Sequence, residues 1–208
     1  MANLFIDTLL YEHKRMHRVL DLMQQQVSAM ESGRLPDMKL FGFALDYLSN
    51  LPVAIHHPKE DLMYYHMYLR EPAFKPEVHH MLAQHRQIHE LERRLADAGA
   101  LVIGRGAIFH SRLMDLSREY LRLQKAHREI EERILFPRAR WLLTSQDWAY
   151  LNSPADELQE PLFTARDVKR FESLFLYLTR ELPNGDRATG SCLAGAWETP
   201  RRPEFQPT

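Results

Sequence analysis

Residues 113–141 read LMDLSREYLRLQKAHREIEERILFPRARW and carry the clearest periodic pattern in the chain. Apolar side chains recur there every three or four residues, and His127 falls in the same register. This spacing is typical of an α-helix that buries one face. The pattern also predicts that Ile134 and, beyond Pro137, Trp141 face inward. The stretch therefore predicts a long helix with a histidine on its buried face.

Three further segments show the helical period, at about residues 3–31, 37–69 and 76–98. Pro52 and Pro58 fall inside the second segment, and each removes one backbone hydrogen bond, so a kink or break is predicted there. Strand patterns are nearly absent, and a loop is predicted over residues 99–106. Because the connections between the four helices are mostly short, we expect an all-α, antiparallel up-down four-helix bundle.

The chain is expected to divide into three parts. The bundle should occupy residues 1–150, and a helical extension over residues 151–182 should pack on its outside. Within that extension the helical period predicts one shorter helix at residues 165–182. Glycine, proline and arginine accumulate in residues 183–208 and the period vanishes, so this tail is expected to be disordered.

Composition narrows the classes of protein that the chain can represent. It has 208 residues, a formal net charge of -1 and one cysteine, Cys192. A single cysteine excludes an intrachain disulfide and fits a reducing compartment. The sequence shows neither a secretory signal nor a run long enough to span a membrane. We therefore expect a cytoplasmic protein whose partners include neither nucleic acid nor a membrane.

The second helix carries the run His56-His57-Pro58-Lys59-Glu60-Asp61. His56 and Glu60 are four residues apart, and so are His57 and Asp61. Four residues complete slightly more than one helical turn, so either pair presents two metal-binding groups on one face. The similarity of this run to His-x3-Glu in the fourth helix favours His56 and Glu60, and the other pair stays an alternative.

The remaining helices each add metal-binding groups at helical spacing. His13 lies on the apolar face of the first helix, and the third helix carries His85 and His89 four residues apart. The fourth helix places Glu131 four residues after His127. Burying these groups singly would cost several kcal/mol each, on the order expected for unpaired polar groups, and a shared cation removes that cost.

The full set holds five imidazoles and two carboxylates. That number is too large for a single tetrahedral zinc ion. Two carboxylates that can bridge, together with nitrogen ligands, suit two ions that share oxygen ligands, and the mixture favours iron among the first-row metals. The candidates are His13, His56, Glu60, His85, His89, His127 and Glu131.

The runs HHPKED at residues 56–61 and HREIEERILFP at residues 127–137 resemble the signatures of the hemerythrin-like family, also called the HHE cation-binding domain. The resemblance covers about residues 5–145. It implies two non-haem iron ions joined by an oxo or hydroxo bridge and by carboxylates. By resemblance, Glu60 and Glu131 would bridge the ions, and the terminal ligands would be His13, His56, His85, His89 and His127.

The resemblance implies a partner of small size: dioxygen, nitric oxide or peroxide. The complete set of five histidines occupies most metal positions and favours reversible binding, in a carrier, sensing or iron-handling role. The alternative is an enzyme, namely a di-iron oxidase or peroxidase or a nitric-oxide-detoxifying enzyme, with Tyr64, Tyr65 or Tyr120 near the ligands. A structural module holding zinc is a third alternative, and a homodimer is one candidate assembly.

Overall fold

The computed structural model describes residues 3–105, 110–153 and 165–180, and within these ranges the chain is all-helical. Two of the helical segments are interrupted by short π-helical turns, at Pro52–His56 and Glu131–Leu135, and one 3-10 turn spans Pro72–Phe74. The α-helices are α1 Leu4–Glu31, α2 Met38–Leu51, α3 His57–Arg70, α4 Lys75–Arg105, α5 His110–Ile130, α6 Phe136–Leu142, α7 Ser145–Leu151 and α8 Ala165–Arg180.

Helix α1 follows its sequence pattern closely. The Asn3 side chain accepts a hydrogen bond from the backbone N–H of Ile6 at 3.3 Å and so caps the first turn. The helix ends before Gly33, whose φ of 72° is a left-handed conformation that glycine adopts without strain. Between these ends the helix buries His13 among apolar side chains, including those of Leu9 and Met16.

The predicted second helix is divided into α2 and α3 by the π-helical turn at Pro52–His56. The backbone N–H of His57 donates to the carbonyl of Pro52, five residues earlier. Pro58 has no N–H, and in an α-helix its ring would press on the carbonyl of Ala54. The wider turn contains Ala54 and relieves that contact. The kink expected at these prolines therefore takes the form of a π-helical turn.

A second π-helical turn, at Glu131–Leu135, divides the predicted fourth helix into α5 and α6. Each of the two turns is followed by a proline. Pro137 lies two positions after Leu135, just as Pro58 lies two positions after His56. The extra residue in the turn shifts the buried face by one position. Leu135 is buried, whereas Ile134 and Trp141 are 56% and 74% exposed. The expectation that Ile134 and Trp141 face inward was therefore wrong.

The loop predicted over residues 99–106 is also corrected, because α4 continues through Gly99 as far as Arg105. A glycine inside a helix costs roughly 1 kcal/mol relative to alanine, which is why it suggests a helix end. Here the preceding residues Leu95 and Ala98 are buried in the contact with neighbouring helices. Packing of this face outweighs the low helix propensity of Gly99.

The helices form a bundle around a shared interior. Helix α1 packs against α2 and α5, and α4 packs against α2, α3 and α5. The segments α1, α2 with α3, α4 and α5 therefore form a ring. Helix α8 lies against α1 and α2, where the guanidinium of Arg15 pairs with Glu172 at 2.7 Å and covers the ring of Phe175. The predicted tail, residues 183–208, lies outside the described residues. Among the described helices, none combines the length and apolar character needed to cross a membrane.

The bundle interior contains two apolar clusters separated along the helices. One surrounds Val19, Met23 and Tyr120 and includes residues from α8, while the other surrounds Leu9 and Met63. On α1 the first cluster begins at Met16 and the second ends at Leu9, and His13 falls between them. The polar groups considered next occupy this intervening layer.

Candidate metal centre

Seven buried histidine and glutamate side chains meet in the layer between the two apolar clusters. One comes from α1, three come from the kink between α2 and α3 and the turn after it, one comes from α4, and two come from the last turn of α5 and the kink that follows it. These residues are His13, His56, His57, Glu60, His85, His127 and Glu131.

The carboxylate of Glu60 faces histidines on both of its sides. Its Oε1 lies 3.0 Å from Nε2 of His56 and 3.5 Å from Nε2 of His13. Its Oε2 lies 3.5 Å from Nε2 of His85. Ligand atoms from His57, His85, His127 and Glu60 all lie within 4.8 Å of one another, and so do those of His13, His56 and Glu60. We call these two groups the His85 subsite and the His13 subsite.

Glu131 spans the same two subsites. Its Oε2 lies 3.3 Å from Nε2 of His13, and its Oε1 lies 3.1 Å from Nε2 of His127. Each of the two carboxylates therefore directs one oxygen towards each subsite. That is the arrangement of a carboxylate that can bridge two cations.

Several of these inward-facing atoms lack a hydrogen bond among the described residues. They are Nε2 of His56, His85 and His127, both carboxylate oxygens of Glu60, and Oε2 of Glu131. Leaving a buried polar atom unsatisfied costs about 1–3 kcal/mol. Atoms that bind one cation at about 2.1 Å lie roughly 3.0–3.5 Å from each other. The separations around Glu60 and Glu131 match this spacing, so the residues fit bound metal cations.

The other ring nitrogen of four of these histidines is held by an outer layer of oxygen acceptors. Each Nδ1–H donates to a carboxylate or amide oxygen, which leaves Nε2 free to bind a metal and fixes the orientation of the ring. The pairs are His13 with Glu132 at 3.0 Å, and His56 with Glu12, His85 with Asp61 and His127 with Gln84, each at 2.9 Å.

The hydrogen bonds of these four acceptors connect each helix of the ring to the next. Each is the chain neighbour of a candidate ligand on its own helix, but it binds the histidine of the next helix in the ring. Thus Glu12, beside His13, binds His56, and Asp61, beside Glu60, binds His85. Gln84 and Glu132 continue the series from α4 to α5 and from α5 back to α1. Sequence reasoning missed this outer layer, although a polar residue next to each ligand was its visible signal.

The structure places His89 away from the cluster, in contrast to its position in the predicted ligand set. Its side chain is 57% exposed, and its Nδ1 lies 3.5 Å from Oε2 of Glu92. Four residues turn a helix by about 400°, so His89 stands about 40° further from the buried face than His85 does. His85 already lies near the edge of that face, whereas Met81 and Ile88 are fully buried.

His57 occupies the place expected for a fifth imidazole. It is buried, and its ring stacks on that of His85 at 4.0 Å between centroids and 12° between planes. Sequence similarity favoured His56 and Glu60 over His57 and Asp61, but the structure uses members of both pairs. The π-helical turn brings His56 and His57 into one layer on either side of Glu60, while Asp61 serves in the outer layer.

Charges within the cluster balance one another. Burial opposes the charged form of His13, but contacts with Glu131, Glu132 and Glu60 outweigh it and raise its pKa well above 6.5. Burial likewise opposes ionisation of Glu60, yet the neighbouring histidines hold its pKa well below 4.5. His57 differs, because burial and the nearby charge of His85 both lower its pKa. In the absence of a metal the cluster thus keeps protons on some imidazoles, and cations would displace them.

Tyr64 is a further buried residue beside the cluster. Its hydroxyl donates a hydrogen bond to Oε1 of Glu131 at 2.6 Å, a short bond of the kind formed with a charged acceptor. Burial, followed by the charges of Glu131 and Glu60, raises the pKa of this phenol well above 10, so it remains a donor. Tyr65, the next residue, is exposed.

A cavity of about 20 Å³ adjoins the cluster on the side where α1 faces α5. Imidazoles of His13, His56, His57 and His127 line it together with Met16, Leu20 and Gln124. A volume above roughly 10–15 Å³ suffices for one water-sized molecule. The cavity therefore has room for about one water-sized molecule and is partly apolar.

Comparison with known proteins agrees with this geometry. No protein of curated function matches the chain significantly. The family model of the hemerythrin HHE cation binding domain matches residues 4–139, a range that contains all seven side chains of the cluster. Because this match spans more than half of the 208 residues, the chain belongs to the hemerythrin HHE cation-binding domain family.

Proposed function

We propose that the protein holds two non-haem iron ions and binds dioxygen, nitric oxide or peroxide beside them, in a carrier, sensing or iron-handling role. The observation that carries this proposal is the placement of Glu60 and Glu131. Each directs one carboxylate oxygen towards the His13 subsite and the other towards the His85 subsite. Two carboxylates placed in this way would bridge two cations, which a single-ion site does not require.

The ligand chemistry supports iron. Five imidazole nitrogens and two carboxylates form a mixed nitrogen and oxygen set, which suits iron better than calcium or magnesium, whose ligands are mainly oxygen. The set is also too large for one tetrahedral zinc ion. The outer acceptors on four of the histidines add to the basicity of the ligands and would strengthen their bonds to the metal.

The two subsites differ in how many protein groups serve them. The His85 subsite has three imidazoles and two carboxylate oxygens, whereas the His13 subsite has two imidazoles and two carboxylate oxygens. The cavity is lined by imidazoles of both subsites, namely His13 and His56 of the less saturated one and His57 and His127 of the other. We infer that a small ligand binds there. A pair of ferrous ions would supply the electrons on which reversible dioxygen binding draws.

The proposal is tested by metal content together with a visible spectrum. We expect purified, iron-loaded protein to hold two iron ions per chain. The reduced protein should change its spectrum on exposure to air and recover it when dioxygen is removed under argon. The variant Glu60→Gln is the control, because it removes the charge shared by both subsites. Protein that retains zinc in place of iron, or reduced protein without a reversible spectral change, would contradict the proposal.

A second candidate function is catalysis, as a di-iron oxidase or peroxidase or a nitric-oxide-detoxifying enzyme. The hydrogen bond from Tyr64 to Glu131 favours it, because a phenol in contact with the centre could deliver a proton or an electron. Steady-state consumption of hydrogen peroxide or nitric oxide by the iron-loaded protein tests this alternative. Turnover that falls in Tyr64→Phe at unchanged iron content would support catalysis. Turnover no greater than that of the Glu60→Gln variant would exclude it.

A further inference from the structure

A chain of buried hydrogen bonds leads from the cavity into the apolar cluster below it. Gln124 lines the cavity, and its Nε2 donates to the hydroxyl oxygen of Tyr120 at 3.0 Å. The hydroxyl of Tyr120 in turn donates to Oε1 of Glu92 at 3.0 Å. All three side chains are buried. These hydrogen bonds join α5 to α4, and their first member, Gln124, lies three residues before His127 on α5.

Glu92 is the last acceptor in this series of hydrogen bonds. No lysine or arginine forms an ion pair with it among the described residues, and its nearest basic group is the exposed His89. Burial raises the pKa of Glu92 to about 8, so the carboxyl group is mainly neutral at pH 7. A neutral acid accepts the hydrogen bond of Tyr120 without the cost of a buried charge.

Gln124 is the amide in a cavity wall otherwise formed by ionisable and apolar side chains. Its bond to Tyr120 uses one N–H, and the second N–H forms no hydrogen bond among the described residues. An amide N–H donates a hydrogen bond but does not release its proton near neutral pH. A ligand that gains negative charge on binding would be stabilised by such a donor and would not be protonated by it.

We propose that Gln124 donates a hydrogen bond to a small ligand in the cavity, and that Tyr120 and Glu92 are positioning residues that hold its amide in place. This inference rests on the proposed function, because it assigns a role at the same cavity. Its physical basis is pre-organisation: a donor already fixed by two buried partners loses little conformational freedom when the ligand arrives.

The experiment measures ligand release from the full, iron-loaded, reduced chain with dioxygen and nitric oxide as the probes. Gln124→Met removes the amide at similar length, and Tyr120→Phe removes only the hydroxyl. We expect release about threefold to tenfold faster in Gln124→Met, the range for loss of one hydrogen bond, and a smaller increase in Tyr120→Phe. The N–O stretching frequency of bound nitric oxide should shift in Gln124→Met, which a purely structural role would not produce.

Two further variants test the role of Glu92 and the specificity of the effect. Glu92→Gln keeps an oxygen acceptor for Tyr120, whereas Glu92→Leu removes it, so release should be faster in the leucine variant. Tyr47→Phe changes another buried tyrosine, in α2, and serves as the matched control. Iron content and circular dichroism identify any variant that has lost its fold.

The outcomes separate this inference from the proposed function. If the wild-type chain forms an adduct and Gln124→Met releases it at the same rate with an unchanged stretching frequency, the role of Gln124 is overturned. If the wild-type chain holds two iron ions but forms no adduct with either gas, the proposed function fails and this inference fails with it. Faster release with a shifted frequency supports both.

Discussion

Two buried glutamates in the described part of the chain each accept a hydrogen bond from a buried tyrosine, yet their ionisation states are opposite. Glu131 accepts from Tyr64 at 2.6 Å, and Glu92 accepts from Tyr120 at 3.0 Å. Burial and the nearby charge of Glu60 oppose ionisation of Glu131, but His127 and His13 outweigh them and its pKa is lowered. Burial raises the pKa of Glu92 to about 8.

The difference lies in the imidazoles and not in the tyrosines. Histidines from α1, α4 and α5 converge on the two carboxylates of the cluster. Among the described residues, the imidazole that contacts Glu92 is that of the exposed His89. A buried acid with a phenol partner is therefore not in itself a metal site. It becomes a candidate where several helices supply basic nitrogens whose orientation is fixed by an outer layer of acceptors.

The largest difference is expected when one acid in each region is neutralised. We expect Glu60→Gln to lose both iron ions, because it removes one of the two negative charges that both subsites share. Glu92→Gln should keep its full iron content. Iron is measured after loading under identical conditions and gel filtration. Equal loss of iron in the two variants would show that Glu92 also belongs to the metal centre.

The next prediction concerns which histidine, His57 or His89, supplies the fifth imidazole. We expect His57→Ala to weaken iron binding by more than about tenfold, since loss of an outer-layer partner alone costs roughly 10–100-fold. His89→Ala should bind iron as the wild type does, because its side chain is exposed beside Glu92. Competition with a chelator of known affinity measures both values. The reverse order would restore His89 to the ligand set and remove His57 from it.

Much of the fold and of the candidate site follows from sequence periodicity. The apolar period of α1 places His13 inward, and that of residues 113–141 places His127 inward, as the structure also does. These predictions succeed because an unbroken α-helix has a fixed 3.6-residue period. The family assignment made from the HHPKED and HREIEERILFP runs is confirmed by the match over residues 4–139. The antiparallel order of the four helices remains a prediction.

The errors fall where the helical period changes. A π-helical turn adds one residue per turn, and no residue pattern in a single sequence fixes its position. The turn at Glu131–Leu135 therefore exposes Ile134 and Trp141, which a regular helix would bury. The turn at Pro52–His56 brings His57 into the cluster together with His56. Both turns precede a proline by two positions, which is the one sequence signal they share.

The opposite ionisation states of Glu92 and Glu131 also predict how stability depends on pH. Because the pKa of Glu92 is raised from 4.5 to about 8 on folding, its burial lowers stability progressively as pH rises from 4.5 to about 8, and the loss is constant above that pH. We expect metal-free Glu92→Gln to match the wild type within about 1 kcal/mol at pH 5 and to exceed it by about 2–4 kcal/mol at pH 9. Urea unfolding at both pH values measures the difference.

Asp97→Asn provides the control for that experiment, because Asp97 is an exposed acid on the same helix. Its stability difference from the wild type should be small at both pH values. If Glu92→Gln instead showed the same stability difference at pH 5 and pH 9, Glu92 would not change its ionisation on folding, and the contrast with Glu131 would disappear.

The smallest expected effect comes from exchanging the two phenols for phenyl rings. Tyr120→Phe should leave iron content unchanged and cost about 1–3 kcal/mol, because Glu92 and Gln124 each lose a hydrogen-bond partner in a buried place. Tyr64→Phe should shift the visible spectrum of the iron-loaded protein, since it removes the one hydrogen bond to Oε1 of Glu131 that comes from outside the histidine set. A spectral shift of equal size in Tyr120→Phe would mean that both phenols act on the metal centre, and the two buried glutamate–tyrosine pairs would then be one functional unit.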